Sequence, residues 1–416
     1  MKKLYFLLLT LVSAAATMAQ EPVDALRYSW ATPGGTARVQ AVGGAMGSLG
    51  GDITATFVNP AGLAFYKTGD ILITPAYHFG NTKADYLSRT EKDKTNKFTW
   101  GTSGFVIGGS GNGKNVLNTA FSLAYNRTAD FNSDILYRGM NSQSSYSQKY
   151  LEEIQHNGDK DANVIADPSP DLRPNYAYGT TLAFNTYWID TVGGGTNGNF
   201  SFQSRSANLL STGLLQQNII KNRGGIDEPA LGFAVNLKDK LFIGGSIGIP
   251  ILHYSREAEF LEADATDNPN NHFNYAMVNE TLTTSGVGVN LKAGLIYKPV
   301  EYWRLGLSIH TPTFYSLTDH YEDSITTDAE NGAVLVDRSR DYTNNAPSEN
   351  SYSYTTPYKV IASVSYVIRE IQDVSKQRGF LTADVEYINY KASSFSPQQT
   401  QNTAPDEGTK SYLKQL

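Results

Sequence analysis

The chain has 416 residues, no cysteine and a formal net charge of −6, which excludes disulfides and thiol chemistry and speaks against a nucleic-acid partner, whose phosphates demand basic patches. Mean hydropathy is −0.35, and polar residues interrupt every apolar run after the N-terminal one, so no later segment can cross a bilayer as a helix. A membrane protein with this sequence would have to be a closed β-barrel, whose strands are apolar on one face only and therefore keep the average hydropathy low. The abundance of Tyr, Phe and Gly fits such a barrel and fits a secreted β-sandwich equally well.

The N-terminus reads as an export leader over residues 1–19. Lys2 and Lys3 form its positive end, Leu4 to Ala16 its apolar stretch, and Thr17-Met18-Ala19 its cleavage site, with Gln20 as the expected mature start. The apolar stretch is shorter than the roughly 20 residues a spanning helix needs, so the rest of the chain is expected outside the cytoplasm. Residues 20–67 carry little periodicity and many small residues, among them Gly43, Gly44, Gly47, Gly50 and Gly51.

Period-two segments begin just after. Ile71 to Phe79 has apolar residues at every odd position; Phe98 to Gly108 reads as a second strand and Leu117 to Phe131 as a third. The region 133–226 is expected to be a long insertion, partly helical, with helices over Ser145–His156 and over Leu209–Lys221. Strands then return. Leu231, Phe233, Val235 and Leu237 alternate up to a turn at Lys238-Asp239-Lys240, and Leu241 to His253 runs back. Ser285 to Tyr297 places Val287, Val289, Leu291, Ala293, Leu295 and Tyr297 on one face, with Asn290 and Lys292 on the other. Leu305, Leu307 and Ile309 likewise oppose Arg304 and His310, and Ala383, Val385 and Tyr387 oppose Asp384 and Glu386. Tyr358 to Arg369 repeats the pattern, which makes about nine strands in all. Periodicity alone does not say whether the second face meets solvent or a lumen. Runs of about 10 to 13 residues suit tilted membrane strands better than the ~5 to 6 of soluble sheets. Tight turns alternating with long connections, such as Tyr315 to Tyr352, also favour a membrane barrel.

Three stretches imitate chemical motifs. Gly108 to Asn115 nearly spells a phosphate loop, but Asn115 replaces the magnesium-binding hydroxyl and the stretch joins two strands. Gly244-Gly245-Ser246-Ile247-Gly248 matches a nucleophile elbow, yet strand alternation runs straight through it. Asp159, Asp161 and Asn163 have calcium-loop spacing, but Val164 stands where the loop needs glycine and Pro170 where it needs a closing glutamate. The six histidines show no metal-type pairing, so no enzyme, cofactor or metal site is expected.

The stretch Ala37-Arg38-Val39-Gln40-Ala41-Val42-Gly43-Gly44-Ala45-Met46-Gly47, followed by Asp52 and then Val58-Asn59-Pro60-Ala61-Gly62-Leu63, resembles the opening of the FadL/TodX-type outer-membrane transporters of long-chain fatty acids and aromatic hydrocarbons. Gly288 to Pro299, with Arg304-Leu305-Gly306-Leu307 and Thr311-Pro312-Thr313, resembles that family's central hairpin. The resemblance implies an all-β transmembrane antiparallel barrel of fourteen strands over residues 68–416, with residues 20–67 folded inside the lumen as a hatch. With about nine strands visible and a polar end at Ser411 to Leu416, the sequence is expected to be C-terminally incomplete. Arg38, Gly43, Gly44, Asp52, Asn59, Pro60 and Ala61 are then the hatch and gating candidates, and Asn290, Lys292, Arg304, Asp384 and Glu386 the lumen-facing ones. Arg38 and Asp52 are expected to pair with inward charges such as Lys292 or Glu386.

By the same resemblance the protein is a monomer in the outer membrane of a Gram-negative bacterium, and takes up hydrophobic compounds passively by loop capture, hatch movement and sideways diffusion. A structural or adhesive surface protein with a sealed lumen is the alternative.

Overall fold

The computed structural model describes residues 22–30, 34–111, 113–158, 161–167, 176–193, 200–266, 268–330, 332–368 and 378–397. Residues 1–19, expected to be a leader, and Ser411 to Leu416 lie outside these, as do Asn112, Asp159 and Pro170. The helices are short: α1 (Pro22–Ser29), α2 (Ala37–Gln40), α3 (Ala55–Val58), α4 (Gln148–Asn157), α5 (Ala162–Ala166) and α6 (Tyr178–Asn185). Apart from short 3-10 turns, the other regular elements among the described residues are strands. The first eight are β1 (Gly69–Leu72), β2 (Pro75–Tyr86), β3 (Arg89–Trp100), β4 (Ser103–Ser110), β5 (Val116–Asp130), β6 (Ser133–Asn141), β7 (Ile189–Val192) and β8 (Ser201–Ser204). Then come β9 (Leu214–Leu237), β10 (Leu241–Gly248), β11 (Ile251–Asp264), β12 (Tyr275–Val300), β13 (Trp303–His310) and β14 (Phe314–Asp328). The last are β15 (Leu335–Arg338), β16 (Ser348–Thr355), β17 (Lys359–Ile368), β18 (Gly379–Ile388) and β19 (Ser394–Pro397).

The wall is one antiparallel sheet with two tiers, joined by the long strands β9 and β12. The lower tier runs β1-β4-β5-β9-β10-β12-β13-β17-β18, nine strands, and the upper one β6-β9-β11-β12-β14-β16-β19. Return strands break between tiers at Pro250, Pro312 and Pro357, because proline has no amide to give the ladder. Among the described residues the edge strands β1 and β18 are not paired with each other.

Outward positions of the lower tier are mostly apolar, with Thr119 of β5 an exception. Ile71, Phe105, Leu123, Leu231, Ile247 and Leu291 face one another in register across six strands. Along β12 the alternation of exposed and buried residues holds from Val287 to Tyr297. That is ~33 Å of strand, or ~25 Å of height at the ~40° tilt usual in membrane barrels, which matches the apolar band of such barrels. Tyr297, Tyr302, Trp303 and Phe380 ring its lower limit, where the Lys238-Asp239-Lys240 and Pro299-to-Trp303 turns lie. Above Ile251 the outward residues of β11 turn polar, with His253, Glu257 and Glu259 exposed. The band therefore ends where the upper tier begins.

Two expectations need correction. Within 133–226 only residues 142–213 leave the wall: β6 occupies Ser133–Asn141, and β9 starts at Leu214 rather than forming the helix expected over Leu209–Lys221. Leu214, Gln216 and Asn218 face inward there, so polarity does not alternate and helical spacing of leucines misleads. The long connection expected over Tyr315–Tyr352 is mostly the strands β14, β15 and β16. The helix over Ser145–His156 is present as α4, and residues 108–115 join β4 to β5 as a hairpin.

The described residues between 142 and 213 fold over the lumen of the upper tier. Tyr150, Ile154, Ile165, Leu182 and Trp188 pack against Phe260, Ala276, Val278 and Ile325 on the inner face of β11, β12 and β14. Beside this cap, Asp323 of β14 has its carboxyl pushed up to about 6, chiefly by burial; Glu280 adds to the shift, while Ser339 and Lys149 oppose it. A folded value above the unfolded one means stability that is complete below about pH 4 and lost as pH rises through about 6. Asp323→Asn is expected to flatten that dependence and to stabilise the cap at pH 8 by up to ~3 kcal/mol. Hydrogen exchange across residues 148–190 at pH 5 and pH 8 measures it; equal pH sensitivity in both forms would refute the assignment.

Candidate functional site

The N-terminal segment lies in the curl of the lower tier, and its own residues explain its shape. Thr36 caps α2, accepting from the Val39 amide at 3.4 Å. Gly43 and Gly44 then reverse the chain at φ +68° and +82°, a conformation that favours glycine. Asn59 accepts from the Ala61 amide at 3.1 Å and caps a tight 3-10 turn over Pro60–Phe65, where proline at the first position loses no amide bond. Ile53, Phe57, Ala61, Leu63 and Ala64 from this segment are buried against Val106, Ala120, Ala124, Ala230, Ala234 and Phe242 of the wall.

Close packing is possible because inward positions at this level are small. A Cβ on Gly244 would overlap the Pro60–Ala61 peptide, one on Gly294 the Asn59 amide, and one on Gly306 the Gly47 carbonyl. The serine of Gly244-Gly245-Ser246 belongs to the same lining: its hydroxyl donates to the Thr56 carbonyl at 2.7 Å, inside strand β10.

Hydrogen bonds join the segment to six strands. Asn59, fully buried, donates to the Gly47 carbonyl at 2.5 Å and to the wall carbonyls of Leu295 at 3.3 Å and Leu307 at 3.5 Å. Thr56 meets Ser122 at 2.8 Å, and Ser48 meets Ser363 at 2.7 Å and Ser365 at 2.5 Å. The Gly47 amide donates to Asp384 at 2.9 Å. Arg304 donates to the Leu49 carbonyl and lies 4.5 Å over the Phe65 ring. His310 Nε2 lies 2.8 Å from the Val58 carbonyl.

The expected charge pairing is different in the structure. Lys292 is paired with buried Glu228 and with Asn290 at 2.7 Å; Glu386 is paired with Lys359 at 3.1 Å. Asp52 accepts instead from the Thr36 hydroxyl at 2.8 Å and the Thr54 amide at 2.9 Å, and Arg38 is exposed. The segment thus satisfies its own carboxylate and meets the wall mainly through neutral groups. Glu228, Ser363 and Ser365 escaped the sequence reading. Glu228 precedes the alternating residues used to find its strand, whereas the two serines only repeat the small-residue signal on β17.

Two cavities flank the segment. The central one, of about 380 Å³, is floored by Gly43, Gly44 and Phe57, walled by Glu228, Lys292 and Glu386, and roofed by Tyr28 and Trp30. Tyr28 of α1 is itself set among Phe131, Tyr254 and Tyr354, each with its ring centre 6.3 Å away, and donates to Thr284 at 3.0 Å. The side cavity, of about 360 Å³, lies by the bend between β1 and β2 and is lined by Arg38, Asp52, Tyr66 and Ile73. Thr54 lines the first, Thr36 and Asp52 line the second, and these three are bonded to one another.

No family model and no curated protein matches the chain. It is similar to a solved structure, the CymD monoaromatic hydrocarbon channel, at 11% identity over 87% of this chain and 93% of that one, with a TM-score of 0.30. A likeness at that score carries no weight. The fold rests on the sheet itself.

Proposed function

We propose that this chain is an outer-membrane channel for passive uptake of hydrophobic compounds, long-chain fatty acids among them. One observation carries the reading: a ~25 Å apolar band surrounds an N-terminal segment with a cavity on either side, and Thr54, which lines one, is bonded to Thr36 and Asp52, which line the other. A long acyl chain gains ~0.8 kcal/mol per methylene taken from water, and Phe57, Ile226 and Ile361 offer it apolar surface in the central cavity, so passage down a gradient needs no energy source. In this reading the loops capture ligand above, the central cavity receives it, and the side cavity releases it toward lipid. Thr36, Asp52 and Thr54 form the gate, and Gly43 and Gly44 are the hinge that lets it move.

Uptake of a labelled fatty acid into cells or vesicles tests this. Thr36→Ala and Asp52→Asn are expected to raise the passive rate several-fold, since each removes a bond of the partition worth ~1 kcal/mol or more. Asn59→Ala and Pro60→Ala are expected to alter it too, by loosening the turn. Uptake that is absent in the parent and in all four variants would favour a sealed structural or adhesive protein.

A further inference from the structure

The hairpin of β2 and β3 leaves the wall at Thr74 and Gly101 and stands as a separate two-stranded sheet beside β6. Its inner face is engaged. Thr95 donates to Asp134 at 2.7 Å, Tyr86 donates to Gln216 at 2.6 Å, and the Tyr86 and Tyr137 rings lie 5.1 Å apart. Among the described residues its outer face meets no other element, and it is graded along its height.

Register orders that face. Above Ile71 and Ile73, which are 78% and 72% exposed on the apolar band, come Trp100 and Pro75, then Tyr77 beside Phe98, then Phe79 beside Asn96. Next are Asn81 beside Lys94, and Lys83 beside Lys92. The Tyr77 and Phe79 ring centres lie 4.7 Å apart in a tilted pair, those of Phe98 and Trp100 5.2 Å apart edge-to-face, and Phe79 is 71% exposed. Hydrocarbon residues thus give way to aromatics, then to amides, then to cations, which is the order in which a bilayer passes from acyl chains through its interface to its headgroups.

Two lysines directly opposite each other on one sheet face repel, and only Lys83 has a counter-charge, Asp85 at 3.1 Å. Among the described residues Lys92 and Lys94 have no ion-pair partner. The chain as a whole carries a net charge of −6, so an anionic surface repels most of it and this strip is an exception.

We infer that the outer face of the β2–β3 hairpin docks on the phosphate-bearing headgroups of the surrounding leaflet, with Trp100, Tyr77, Phe98 and Phe79 at the acyl boundary and Lys83, Lys92 and Lys94 on the phosphates. This rests on the membrane reading above. It adds a lipid-composition-sensitive anchor to the strand pair that begins at the side cavity.

Because the chain has no cysteine, Asn96→Cys gives a single labelling site on that face. The full-length variant, carrying an environment-sensitive dye, is inserted into vesicles of phosphatidylcholine alone or with about a third phosphatidylglycerol. The dye is expected to shift blue and lose mobility only with the anionic lipid. Each lysine near such a surface is worth about a fivefold bias, so K83Q/K92Q/K94Q is expected to reduce the docked-to-free ratio at least tenfold. About 0.5 M salt should act likewise, whereas millimolar inorganic phosphate should not. Heat-modifiable migration checks that the triple variant folds, and flotation checks insertion. Failure to float overturns the membrane reading. Insertion with the same dye signal in both lipids, or one unmoved by the triple substitution, overturns the docking surface alone.

Discussion

Replacing Gly294 by valine is expected to expel the hatch while leaving the wall intact. The added Cβ would overlap the Asn59 carboxamide, which is held by bonds to Gly47, Ala61, Leu295 and Leu307, and next to it stands the Pro60 ring. Overfilling a packed site costs ~1–3 kcal/mol, which here falls on the contact between two elements rather than on the ladder within the sheet. Asn59 would then lose its bonds to Gly47, Leu295 and Leu307 together. Three readouts are expected to agree: steady ion conductance in planar bilayers, cleavage of residues 37–66 by added protease, and unchanged heat-modifiable migration. Gly245→Val, on the outward face of β10 with free space around it apart from the Lys292 carbonyl, is the control and should behave as the parent. Conductance unchanged in Gly294→Val would show that the hatch is not what closes the lumen.

Glu228→Gln is the second substitution with a large expected effect. Glu228 and Lys292 are 4% and 7% exposed and paired in the wall of the central cavity, where Lys292 also donates to Asn290. Removing one partner of a buried ion pair leaves the other charge uncompensated, at a cost of ~3–5 kcal/mol, whereas a well-packed neutral pair can match the original. Urea unfolding in detergent is expected to show that loss for Glu228→Gln and most of it regained in Glu228→Gln/Lys292→Met. A double variant no better than the single one would mean that the pair contributes through something other than its charge, such as the contact of Lys292 with the Phe57 ring at 6.0 Å.

If α1 forms the roof of the central cavity, Tyr28→Ala should widen the way in from above. The phenol fills a pocket of three aromatic rings and donates to Thr284, so its removal is expected to open space for a hydrophobic ligand and to raise binding of a fluorescent fatty acid in detergent. Equal binding to parent and variant would place the ligand elsewhere.

The lower tier was legible in the sequence because lipid and lumen impose opposite demands on successive residues. Val287, Val289, Leu291 and Leu295 meet hydrocarbon while Asn290, Lys292 and Gly294 meet the interior, so period two is written directly in polarity. The glycine-rich leader into Asn59 and Pro60 was legible too, since left-handed turns and a capped 3-10 turn need those residue types. The upper tier was not. There both faces touch polar surroundings or the cap, so β9 between Leu214 and Asn222 carries no alternation of polarity and reads as helix. Partner choice was equally out of reach: which acid meets Lys292, and that Asp52 turns inward to Thr36 and Thr54, depend on residues brought together across 64 and 16 positions of chain. Residue order by itself determined which side of each lower strand faces lipid, because that follows from neighbours one and two places away. Only the curling of the sheet decided what the inward side chains touch, because those contacts join strands and hatch that share no local pattern.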